Sequence, residues 1–211
     1  MHEAPSISVL TTMSIIHALG KLGGRLDFQK ISKKFSLPVD LLAHQNNRVS
    51  HKVIHDLAME QSARMDEPLL GLRIGSLMGI SHMLGTNSIL RTAQDVRGAF
   101  KTLDRYYPIY SQMGSIAIER HNKECHLVFK PKTPSLTNFH QIDARMMILH
   151  RYAKQLGGEG FSALHLSHFC PKNCEYLYQQ AFSMPVFFNQ PRTYFVLNDS
   201  WLSHRINHFL Q

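Results

Sequence analysis

Apolar positions recur every three to four residues through the first 80 positions, and that period predicts helices. Val9, Leu10, Met13, Ile16, Ala18 and Leu19 mark one over Ile7 to Leu22, closed by Gly23-Gly24. A short helix over Phe28 to Phe35 is interrupted by SLP, and Pro38 suits the first turn of another, VDLLAH. Val53, Leu57 and the stretch to Met65 continue the helical pattern. Asp66-Glu67-Pro68 then reads as a turn and a helix start ahead of LLGLRIGSLMG. After a short helix from Thr86, Asp95 is expected to cap VRGAFKTLDRYY, whose apolar stripe is Val96, Phe100, Leu103 and Tyr107. Pro108 is expected to kink or end it.

The period then shortens to two. SIAIER and CHLVFK alternate on either side of His121-Asn122-Lys123, with Ile116 and Ile118 on one face of the first segment and Leu127 and Phe129 on one face of the second. This predicts an antiparallel hairpin. Asn138 to Leu156 returns to helical spacing through Phe139, Ile142, Met146, Leu149, Ala153 and Leu156, and Gly157-Gly158 closes it. FSALHLSHF predicts a strand and Cys174 to Phe182 a helix. VFFNQPRTYFVLN predicts one or two strands, with Pro185 and Pro191 at their margins. The expected class is α+β: a helical N-terminal half, then a small antiparallel sheet of about four strands packed with helices.

Composition narrows the class of protein without naming a chemistry. A chain of 211 residues that is 44% hydrophobic buries a proper core as one domain, with or without a helical extension. No apolar run approaches the roughly 18 residues of a membrane span, and MHEAPSISVL lacks the marks of a signal peptide, so a cytosolic, soluble chain is expected. Three cysteines, an odd number, argue against a disulfide framework. The net charge of +8 suits an anionic partner, yet the basic residues are scattered, and the densest cluster, KISKK at Lys30 to Lys34, is short. Direct nucleic-acid binding would call for a longer basic stripe or a known module.

Catalytic signatures are missing: there is no G-x-S-x-G, H-E-x-x-H or phosphate-loop pattern, and GLRIG and LGKLGG have the wrong spacing to cradle phosphate. The 14 histidines are dispersed, and no two carboxylates are spaced for acid and base work. HLSHFCPKNC, His165 to Cys174, gathers two histidines and two cysteines. Residues three apart on a strand point to opposite faces, so a strand, turn and helix fit the segment better than a tetrahedral metal site.

Four segments together carry a family resemblance. They are SLPVDLLAHQNNRVSHKVIHDLAMEQSARM (36–65), DEPLLGLRIGSLM (66–78), GISHMLGTNSILRTAQDVRGAFKTLDRYYPIYS (79–111) and ALHLSHFCPKNCEYLYQQAFSMPVFFNQPRTYFVLNDSWL (163–202). The chain resembles the N-terminal regulatory domain of AraC-type transcriptional regulators, in the branch called arabinose-binding. The resemblance implies an effector-sensing and dimerising domain over 1–200. It also implies that 201–211 begins a connection to a C-terminal pair of helix-turn-helix units, through which alone DNA would be read. A free-standing sensor module is the other possibility of this type, and one using its histidines for a metal or haem is the alternative reading.

A small-molecule pocket is apolar with a few polar groups that fix orientation. The candidates are Met78, His82 and Met83 in one segment, Phe100, Tyr107 and Tyr110 on one helix, and Arg145 and Met146 on the next, with Arg145 able to pair with a ligand carboxylate if it points inward. Plain core packing, and a surface arginine, are the competing readings. The effector class stays open among fatty acids, amino acids, aromatics and sugars. No cofactor, no metal and no membrane partner are expected. A homodimer is expected, through the helix Ile7 to Leu22 or through an edge strand over Arg192 to Asn198.

Overall fold

A computed structural model of the chain describes all residues except 1–4, 24–27, 36, 38–39, 42–43, 45, 79–92, 123, 158–159 and 207–211. The expected helix from Pro38 lies largely outside the described residues, and the one from Thr86 wholly so. The chain opens with Ser6–Ser8 (β1), which pairs antiparallel with Arg48–Ser50 (β2) and runs directly into Val9–Gly23 (α1). Ile7, expected inside the helix, is instead a strand residue opposite Val49. The helix starts later because Ser8 serves as its N-cap, its hydroxyl accepting the N–H of Thr11 at 3.2 Å. Phe28–Lys34 (α2), His51–Met65 (α3) and Leu70–Leu77 (α4) complete the helical half. A left-handed Asp66 stops α3.

Val96–Tyr110 (α5) begins where Asp95 Oδ1 accepts the N–H of Gly98 at 2.7 Å. Pro108 does not end it. A proline one turn from a helix end removes a single internal hydrogen bond. The last carbonyls gain another donor, since Arg48 bonds those of Ile109 and Pro108 at 2.7 and 3.3 Å.

Gly114–His121 (β3) and Glu124–Pro131 (β4) form the hairpin, with Ile116 opposite Phe129 and Ile118 opposite Leu127. Phe139–Gln155 (α6), Phe161–His165 (β5), Glu175–Phe182 (α7), Val186–Phe187 (β6), Thr193–Leu197 (β7) and Asp199–Leu202 (α8) follow. The sheet order is β3-β4-β7-β5-β6, five strands rather than about four, and β5 pairs with β6 in parallel because the α7 crossover joins them. The edge-strand expectation for Arg192 to Asn198 is overturned. β7 is paired on both sides, to β4 and β5, so its ladder groups are already used.

The core is organised around α6. Twelve of its 17 residues are buried, with the apolar face of the sheet (Leu127, Phe129, Leu164, Phe195) on one flank and α4 on the other. Two glycines permit the second contact. A Cβ on Gly71 would stand 2.2 Å from the His140 carbonyl oxygen, and one on Gly75 2.6 Å from that of Ala144. GLRIG is thus the seam along which two helix backbones approach. Arg151 of α6 fastens it by donating to the Met78 carbonyl at 2.8 Å, beyond the end of α4. At the other end Trp201 enters the core against Phe100 and Phe161, and the Ile206 N–H bonds the Gln94 carbonyl at 3.1 Å, so the packed body runs through Ile206. Among the described residues no helix is long and apolar enough to cross a membrane.

Candidate functional site

A helix buried on most sides is normally apolar all round. α6 instead carries His140, Gln141, Asp143, Arg145 and His150, every one of them buried. Buried polar groups are costly unless bonded, so each of these five demands a partner.

Asp143 has its partners. One carboxylate oxygen accepts the Tyr178 hydroxyl at 2.6 Å and the other faces His168 Nε2 at 3.0 Å. His168 Nδ1 faces the Phe169 carbonyl at 2.8 Å, so both ring nitrogens meet acceptors, and both bonds form only when the imidazole is protonated. Burial alone would lower the His168 pKa; the Asp143 hydrogen bond and charge outweigh it, and the net shift is upward. Burial and the same carboxylate push the Tyr178 hydroxyl well up. With both ring nitrogens of His168 engaged, this triad locks α6 to α7 and to the turn after β5.

The face of α6 formed by residues 140, 141, 144, 145 and 148 is different. Together with α1, α3, α4 and α5 it lines a half-open cavity of about 60 Å³, whose walls are chiefly Ile7, Ile54, Ile74, Met78, Met113 and Ile148. Its polar groups come from His140, Gln141 and Arg145, with the Thr11 and Ser111 hydroxyls. Gln141 is set by the helix cap. Its Oε1 accepts the Asn138 N–H at 2.9 Å while Asn138 Oδ1 accepts the Gln141 N–H at 3.0 Å, which fixes the amide and leaves Nε2 buried without a partner. His140 Nδ1 is likewise unpaired, as are both ring nitrogens of the adjacent, fully buried His51.

Arg145 sits 4% exposed with its guanidinium 3.7 Å from the Tyr107 ring centroid and 5.0 Å from that of Phe129. Among the described residues it donates no hydrogen bond and meets no carboxylate at ion-pair distance. Burial lowers its pKa to about 9, with Asp104 opposing at longer range, so it remains charged at neutral pH. Burial also lowers His51 and His140 to about 4, and both are neutral there; for His51 the electrostatic influence of His55 and then of Arg145 pushes the same way, while the Gln141 amide opposes. Each neutral imidazole brings one donor and one acceptor, so the excess of donors beside the cavity comes from the Arg145 guanidinium and Gln141 Nε2.

Of the residues expected from sequence, Met78, Tyr107 and Arg145 meet at this cavity. Phe100, Tyr110 and Met146 are buried in the apolar core and do not line it, because α5 and α6 turn those side chains toward each other and the sheet. His82 and Met83 lie outside the described residues. Sequence reasoning missed His140 and Gln141. The signal was present: Asn138-x-x-Gln141 is a capping box, and Gln141 and Arg145 are four apart on one helix face.

HLSHFCPKNC separates rather than converges. His165 stacks on Tyr194 and Phe187 across the outer sheet face, while His168 turns inward to Asp143. Burial raises the Cys174 thiol and raises that of Cys170 to about 11, so both stay protonated. Among the described residues no three metal-binding side chains gather into a set.

Residues 26–206 match the family model described as the arabinose-binding domain of AraC transcription regulator, N-terminal. No curated protein is similar to the chain at a significant level. Among solved structures the chain is similar in fold to the transcriptional regulator CdpR from Pseudomonas aeruginosa, with a TM-score of 0.58 at 16% identity over 86% of this chain, which spans only 58% of the length of that one. With the family match running from α2 to the end of the packed body, the chain belongs to the arabinose-binding-type N-terminal domains of AraC transcription regulators.

Proposed function

We propose that this chain is the effector-sensing and dimerising half of a cytoplasmic AraC-type transcription factor. DNA would be read by a helix-turn-helix region outside these 211 residues, connected after Ile206. The observation that carries the sensing role is the cavity on α6: apolar walls around buried polar groups that have no hydrogen-bond partner among the described residues. Its place favours signalling. The walls come from both the helical layer and the α5–α6 layer, so an occupant that prefers them further apart shifts the whole domain between two arrangements. About 60 Å³ is far below the roughly 300 Å³ at which ligand pockets start, so filling it requires such a shift.

Dimerisation rests on α1, whose Leu10 and Met13 stay about two-fifths exposed on an apolar terminal helix. The discriminating experiment is a melting-temperature screen of the chain against metabolites by chemical class, with its mass in solution measured alongside. A ligand of the native state raises the melting temperature by mass action. Silence across every class removes the sensing role, and a monomer at high micromolar concentration removes the dimer.

A further inference from the structure

We propose that the α6 cavity is a carboxylate site: Arg145, flanked by Gln141 Nε2 and His140 Nδ1, holds the headgroup of a small organic acid whose apolar body lies among Ile54, Ile74 and Met78. This rests on the sensing role and names the chemistry of its effector. Three observations carry it. First, Arg145 is a buried cation with no acceptor or carboxylate at bonding distance among the described residues, Asp104 acting on it only from further away, although the chain satisfies its other inward-facing arginines: Arg48 donates to the Ser6, Pro108 and Ile109 carbonyls and Arg151 to that of Met78. Two aromatic faces compensate it only in part, since each contact returns about 2 kcal/mol when desolvated, against a penalty of several kcal/mol for taking the ion out of water.

Second, Gln141 Nε2 and the Arg145 guanidinium are donors that stand within one helical turn, and His140 Nδ1 joins them in its Nδ1–H tautomer. Gln141 and Arg145 are four residues apart, and the cap has already consumed the amide oxygen. A carboxylate offers the matching acceptors and the charge in a bidentate geometry that a guanidinium fits. Third, among the described residues the lining contains no Asp or Glu. The ammonium of an amino acid would be buried unpaired beside Arg145, and a sugar would bury several hydroxyl donors against a site that already has too many. The favoured class is therefore a monocarboxylic acid without an amine, aliphatic or aromatic. A cavity of roughly 150 Å³ admits benzene, so a six-carbon acid fits only as flexible Met78 and Met113 move aside.

The test is calorimetric titration and melting of the 211-residue chain with hexanoate, benzoate, hexanamide, leucine and L-arabinose. Hexanoate or benzoate is expected to bind and raise the melting temperature, and hexanamide at least tenfold more weakly. Arg145→Met is expected to weaken the acid at least 30-fold, with Arg145→Lys retaining part of the affinity. Gln141→Glu keeps the cap acceptor and supplies a carboxylate one turn from Arg145, so it is expected to melt higher than the parent and to lose the acid response. Hexanamide equal to hexanoate, an Arg145→Met affinity within threefold of the parent, or no response to either acid overturns the assignment. A response to arabinose or leucine without one to the acids overturns it while leaving the sensing role intact, and only silence in the broader metabolite screen removes both.

Discussion

Asp143 and Arg145 stand two positions apart on α6, and both are removed from water, at 0% and 4% exposure. Two residues on a helix are about 200° apart, so they serve opposite sides of it. Asp143 meets a tyrosine hydroxyl and an imidazolium, one for each oxygen. Arg145 meets two ring faces and a cavity. The side toward α7 is a finished polar network that holds the fold together. The side toward α1, α3 and α4 is an unfinished one, left with the groups an incoming molecule would need. The difference separates structural polarity from functional polarity within a single helix, and it can be broken from either side.

The largest effect is expected on the finished side. Asp143→Ala strands the His168 imidazolium and the Tyr178 hydroxyl in the core, a change that costs about 3–5 kcal/mol. At roughly 2–4 °C per kcal/mol for a chain of this size, thermal denaturation should show a melting temperature lower by on the order of 10 °C. Next is the α4–α6 seam. Gly71→Ala places a methyl 2.2 Å from a backbone oxygen that cannot yield cheaply, and urea titration should show a loss of about 1–3 kcal/mol and, because α4 bounds the cavity, a weakened ligand response. Tyr178→Phe removes one charge-assisted hydrogen bond and should cost about 1.5–3 kcal/mol by the same titration, less than Asp143→Ala because His168 keeps its partner.

Acid provides a smaller and more diagnostic effect. His51, His140 and His150 are held to about 4 in the folded chain, first by burial, whereas unfolded histidine titrates near 6.5. Between those values the unfolded chain binds more protons, so stability falls as pH drops from 6.5 toward 4. His168 runs the other way. Its folded pKa is raised, so its contribution is fully present below 6.5 and is lost as pH rises through the folded value. His150 isolates one term, because both its nitrogens are unpaired among the Phe161, Phe182 and Phe195 rings. His150→Leu should lower proton uptake on unfolding at pH 5 by about one, read from the pH dependence of urea unfolding.

The sequence carried the elements better than their assembly. Period and capping residues located α3, α5, the β3–β4 hairpin and α6 closely, since Asp95, Asn138 and the Gly157 turn are local signals. Neighbours in the sheet are not local. Nothing in TYFVL says that β7 sits between β4 and β5, because the alternation of Thr193, Phe195 and Leu197 reads the same for an edge or a centre. The site was half legible for a similar reason. Arg145 stood out as a cation among Ile142, Met146 and Leu149, but whether it reached water or the core depended on α4, which covers α6 only because Gly71 and Gly75 let it approach. The same dependence hid the burial of Gln141 and His140.

The role given to Arg145 separates from a structural one by its sign in the ligand-free protein. The decisive measurement is the urea unfolding free energy of Arg145→Met beside that of the parent, both without ligand at pH 7. A cation kept waiting for a counter-ion is a cost to the empty fold, and methionine of similar length removes it, so the variant is expected to be as stable as the parent or more stable by about 1 kcal/mol. A loss of about 3 kcal/mol or more would place Arg145 with Asp143, as a residue the fold itself requires.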